Sequence, residues 1–96
     1  MQTKRTGSAQ RLTAFEIAIG RVIRARRRAA DMTQTELGER AGASCASIHN
    51  WEHGRSRMAV NNLAAVARVF GLRASDLVAE AEALNSSEPA RPARQR

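Results

Sequence analysis

Apolar side chains return every three or four residues along most of this chain, the period of helices that bury one face. The first run is Phe15, Ile19, Val22 and Ile23, and it predicts a helix over about residues 14–29. Thr13 and Glu16 precede it at the spacing of a capping box. Gly20 inside that helix costs roughly 0.5–1 kcal/mol relative to alanine, so it points to the close approach of another helix. Leu37 and Ala41 share one face and predict a short helix over about 34–41. A second capping pair, Thr33 and Glu36, opens it, and Gly42 stands where it must stop. Ser44 is a good N-cap for a third helix over about 45–53, with Ile48 and Trp51 as its apolar pair and Gly54 beyond its end. Val60, Leu63, Ala64, Val66, Ala67 and Phe70 predict a fourth over about 60–70, stopped by Gly71. Ser75 as cap, Asp76 in the first turn, and Leu77, Val78, Ala81 and Leu84 predict a fifth over about 75–84. The fold class is therefore all-α, a compact five-helix bundle.

Helices two and three are too short to be stable alone. They must pack at an angle on the rest, and the third keeps a face free. That face carries Cys45, Ala46, His49, Asn50 and His53, small or polar and without an acid, which suits the major groove of DNA. Ser44 and Ser47 can bond phosphates or base edges. Ala46 can touch only apolar groups such as a thymine methyl, while Asn50 can bond adenine in bidentate fashion. No arginine lies on this face, so strong guanine readout by the helix itself is not expected. The same stretch also carries Cys45-x-x-x-His49-x-x-x-His53, whose thiolate and imidazoles suit zinc or copper. One ion can take two adjacent members but not comfortably all three, so no metal and no cofactor is expected. Cys45 in a first helical turn has the position of a redox-sensitive thiol; an inert small residue is the preferred reading.

Charge sharpens the picture. The 96 residues allow one small domain, with a formal net charge of +7 and an isoelectric point of about 11.6. That balance points to an anionic partner, with nucleic acid ahead of a membrane surface. Lys4, Arg5 and Arg11 at one end and Arg91, Arg94 and Arg96 at the other carry most of the excess, because residues 12–84 hold ten basic against eight acidic side chains. Residues 1–12 read as a disordered basic arm, 13–84 as the domain, and 85–96, with two prolines, as a disordered basic tail. The arm is read either as wrapping DNA or as an unstructured leader. A single cysteine excludes an internal disulfide. The chain lacks an apolar run long enough to span a bilayer or to form a signal peptide, which makes the cytoplasm the expected location. Scattered acids and the lack of a nucleophile–base spacing speak against an enzyme.

The ordered set Ile19-Gly20, Ile23-Arg24, Arg27, Met32-Thr33-Gln34, Glu36-Leu37, Ala41-Gly42, Ser44, Ser47-Ile48, Trp51-Glu52-x-Gly54, Leu63 and Gly71-Leu72 resembles the lambda-repressor-like helix-turn-helix domains of the Cro/C1 or XRE type. The likeness covers roughly residues 15–84. It implies a DNA-binding domain whose third helix enters the major groove, with base contacts from Ser44, Cys45, Ala46, Ser47, His49 and Asn50. It implies that Gln34, beside Thr33, lies against the DNA backbone, and that Arg27 pairs with Glu52. Arg55 and Arg57 flank the expected path of the phosphates, and Asn61 and Asn62 stand where they could donate to it. Two positions depart from the family pattern. Asp31 stands where glycine is usual, and a left-handed turn is still expected there. Met58 replaces a common proline, which makes entry to the fourth helix less rigid.

The resemblance implies a transcriptional repressor that binds a palindromic operator in double-stranded DNA as a homodimer. Leu72 and part of the fifth helix are candidates for the dimer surface. An antitoxin of the same fold, with a toxin protein as partner, is the alternative. A protein-interaction module without DNA function is the third reading.

Overall fold

The computed structural model describes residues 11–86; the arm before Arg11 and the tail after Ser86 lie outside the described residues. Five helices follow one another: α1 Ala14–Ala29, α2 Gln34–Ala41, α3 Cys45–Glu52, α4 Val60–Val69 and α5 Ala74–Ser86. Helix α1 packs on α5 and α3, α2 on α3 and α4, and α4 on α5. Each helix sends one large, fully buried aliphatic side chain to the centre: Ile23, Leu37, Ile48, Val66 and Leu77. At about 1.5–3 kcal/mol for each such side chain, this shared centre is what makes the short helices stable.

The helix starts follow their capping pairs. Thr13 Oγ1 accepts from the Glu16 amide at 3.1 Å, and Glu16 Oε1 accepts from the Thr13 amide at 2.8 Å. Thr33 and Glu36 repeat the exchange at 3.0 and 2.8 Å. The ends of α1 and α2 close through left-handed residues, Asp31 at φ 58° and Gly42 at φ 77°. Beyond them the Met32 and Ala43 amides donate back to the carbonyls of Arg27 and Gly38.

The fifth helix differs from its expected form. It begins at Ala74, so Ser75 lies inside the first turn rather than capping it. The capping contact comes from Asp76, whose Oδ2 accepts from the Arg73 amide at 2.8 Å. An acid three residues into a helix can reach back in this way without a hydroxyl at the cap. The helix also runs on to Ser86, because neither glycine nor proline interrupts it before Pro89. Smaller shifts trim α3 to Glu52 and α4 to Val69. On α1 the deeply buried positions are Ala18, Gly20, Val22 and Ile23, while Phe15 and Ile19 pack at the rim of the core. Leu72, Val78 and Leu84 are also half-buried against that core.

Gly20 shows why a glycine is tolerated in mid-helix. A β-carbon there would lie 2.0 Å from the backbone oxygen of Trp51. Gly20→Ala is therefore expected to destabilise the fold by at least about 2 kcal/mol, despite alanine's better helix propensity. Gly42→Ala meets nothing within 4 Å and carries only the cost of a left-handed backbone, about 1–2 kcal/mol. Urea unfolding of the two variants, followed by circular dichroism, checks the order.

Candidate nucleic-acid interface

The α2–α3 unit is held by a close approach. A β-carbon on Gly38 would stand 2.5 Å from the Ala43 carbonyl oxygen, so only hydrogen fits where the turn crosses α2. Helix α3 then divides cleanly. Ile48, Trp51 and Glu52 are buried, Ser44, Cys45 and Ala46 are exposed, and Ser47, His49 and Asn50 are half-buried. An eight-residue helix with an apolar pair three residues apart can bury only one side, and the polar remainder faces out.

Hydrogen bonding partly commits the outward side chains. Ser44 Oγ accepts from the Ser47 amide at 3.0 Å and donates to Ser47 Oγ at 3.0 Å. The Ser47 hydroxyl keeps its own proton for an outside acceptor. His53 stacks on His49 with ring centroids 4.2 Å apart. Its Nδ1 lies 2.9 Å from the His49 carbonyl oxygen, which can only accept, so Nδ1 carries the proton there. Among the described residues no three His, Cys, Asp or Glu side chains gather as a metal site, and Cys45 is free and exposed.

Glu52, the last residue of α3, has a side chain with 0% exposure. Arg27 of α1, itself 13% exposed, clasps it with Nε to Oε2 at 2.6 Å and Nη2 to Oε1 at 3.0 Å. Gln34 of α2 donates from Nε2 to Oε1 at 3.1 Å. The remaining arm of Arg27 donates to the Met32 carbonyl at 2.8 Å, in the α1–α2 connection. Gln34 thus spends one amide hydrogen on the protein. Its neighbour Thr33 is exposed, with its hydroxyl oxygen capping α2.

The loop after α3 behaves unevenly. Arg55 is exposed and has no ion-pair partner among the described residues. Arg57 is turned to the start of α1, where its Nε meets Glu16 Oε2 at 2.7 Å and Nη2 donates to the Arg11 carbonyl at 3.3 Å. That guanidinium, followed by the Thr13 amide, holds the Glu16 carboxyl down to about 2 from its usual 4.5. Asn61 is exposed and Asn62 half-buried in the first turn of α4, whose start has no side-chain cap. Glu16 as a partner for Arg57, and the Arg26–Glu80 pair between α1 and α5, were not anticipated from the sequence.

A pair of short helices packed on each other across a tight turn, the second with a polar outer face and a buried inner one, defines a helix-turn-helix DNA-binding domain. A family model described as helix-turn-helix domain matches residues 18–83, and the chain belongs to that family. Among solved structures it is similar to the clp gene regulator ClgR from Corynebacterium glutamicum. One such structure is 26% identical with a TM-score of 0.71, covering 79% of this chain and 80% of that one. A second is 28% identical with a TM-score of 0.67, covering 78% and 95%. Hydroxypropylphosphonic acid epoxidase from S. wedmorenis shares the fold over 65% of this chain and 33% of its own, at 21% identity and a TM-score of 0.58. No curated protein matches the chain significantly. No helix among the described residues is long and apolar enough to cross a membrane.

Two measurements follow from these ion pairs. Arg27→Met leaves the buried Glu52 carboxylate with only the Gln34 amide, and a loss of about 3–5 kcal/mol in urea unfolding is expected. The Glu16 carboxyl is depressed in the folded state, so its contribution to stability is complete above about pH 4.5 and is lost as pH falls toward 2. An NMR titration of Glu16 should show a midpoint near 2 that returns toward the ordinary carboxylate range in Arg57→Gln.

Proposed function

We propose that the chain is a sequence-specific double-stranded DNA-binding transcription regulator, a repressor that acts from the cytoplasm as a homodimer on a palindromic operator. The observation that carries this reading is the division of α3, with Ser44, Cys45 and Ala46 exposed while Ile48 and Trp51 anchor the helix from below. A helix held in this way presents its N-terminal side chains to base edges without rearrangement. The likeness to a protein named as a gene regulator supports the same conclusion. In this reading Ser44, Cys45, Ala46, Ser47, His49 and Asn50 face the bases. Thr33, Gln34, Arg55, Asn61 and Asn62 face phosphates, and Arg57 joins them only on leaving Glu16. Two copies are needed because one such helix reads too few base pairs, and half-sites then lie about 34 Å apart.

Selection of bound duplexes from random DNA tests the proposal. Enrichment of an inverted repeat supports it; failure to retain any duplex at low salt defeats it. On the selected duplex, Asn50→Ala should cost about 1–3 kcal/mol at one base position and relax preference there, whereas Arg55→Gln should weaken all sequences alike. Because Glu16 holds Arg57, Glu16→Gln should free that guanidinium for phosphate and tighten binding to every duplex. An unchanged affinity in a binding titration would remove Arg57 from the interface.

A further inference from the structure

The ion pairs sort the arginines into two groups. Arg26, Arg27 and Arg57 are each matched to a carboxylate, from Glu80, Glu52 and Glu16. Arg21, Arg24 and Arg28 have no ion-pair partner among the described residues, and all three are exposed. Spaced three and four apart, they form one row on α1. A favourable interaction with the helix C-terminus accounts for Arg28 in the last turn but not for Arg21 and Arg24.

The row runs beside the α2–α3 unit. Arg21, Arg24 and Arg28 share a surface cleft with Glu52 at the end of α3. Arg28 shares the next cleft with Thr33, the N-cap of α2. Glu52 does not neutralise the row, because its single charge is already matched by Arg27. Asp31 lines the second cleft without forming an ion pair there. Seven residues of helix rise about 10 Å, and over that length of duplex axis one DNA strand presents about three phosphates, one per 3.4 Å of axial rise.

We propose that Arg21, Arg24 and Arg28 form a second phosphate-binding track, which continues from the α2 N-terminus along α1 and holds DNA backbone outside the groove that α3 reads. The proposal rests on the DNA-binding reading and adds a surface to it. The track carries no sequence information. It lengthens the footprint and steepens the dependence on salt.

The test compares the full chain with the triple variant Arg21→Gln, Arg24→Gln, Arg28→Gln. Both are titrated against a duplex selected by the wild type and against a random duplex, from roughly 50 to 200 mM KCl. The variant should lose affinity for both duplexes equally, about 10- to 100-fold, with a slope of log affinity against log salt shallower by about two to three. The triple Arg→Lys variant, which keeps the charge, should restore the slope. Trimming the duplex flanks should weaken the wild type and leave the glutamine variant indifferent. Equal thermal melting of the three proteins excludes a folding effect. An unchanged slope, or a loss confined to one sequence, overturns the track and leaves the DNA reading standing. If the wild type retains neither duplex at low salt, both fall, and the row belongs to an acidic protein partner instead.

Discussion

A buried carboxylate governs the arrangement of this domain. Glu52 is withdrawn from water at the end of α3, and an ionised group in that position is tolerable only when its oxygens are filled. Arg27 supplies two donors from α1 and Gln34 a third from α2, so one side chain ties three helices together. Such a pair adds little net stability compared with an apolar replacement, but it admits few geometries. Here it fixes the direction in which α3 leaves the core.

Steric contact acts at the adjoining residue. The Trp51 carbonyl presses on the bare backbone of Gly20, one position before Glu52. The C-terminal end of α3 is thus held by charge and by shape at successive residues. Its N-terminal end is set by the crossing of Gly38 and the Ala43 carbonyl. Between these supports Ile48 fills the core, and the outward side chains bond only within α3 and its caps.

What the sequence made legible was mostly local. Both threonine–glutamate capping boxes and the close approach at Gly20 depend on near neighbours or on one residue's missing β-carbon and are legible locally, while the left-handed turn at Asp31 follows from the family pattern. Ser75 is not the cap of α5, because the acid at the third position, Asp76, reaches back to the Arg73 amide in place of a hydroxyl. The long-range pairs were hidden for a simple reason. Arg57 and Glu16 are 41 residues apart and Arg26 and Glu80 are 54, and nothing in a spacing says which of many arginines will meet which acid. Arg27 and Glu52 were suggested only by the family likeness, not by their positions. The outward face of α3 follows from two apolar residues at a helical interval, but the internal bonds of Ser44, Ser47 and His53 depend on side-chain rotamers that no spacing specifies.

The segregation along α3 also bears on how readily the domain changes its preferences. Cys45 and Ala46 are exposed, and among the described residues no side-chain hydrogen bond or ion pair from Cys45, Ala46, His49 or Asn50 reaches another helix. Substitution at these four places can therefore proceed almost independently of folding. The scaffold is in this sense modular: new recognition can be installed on it by exchanging a handful of surface groups while the interior stays untouched.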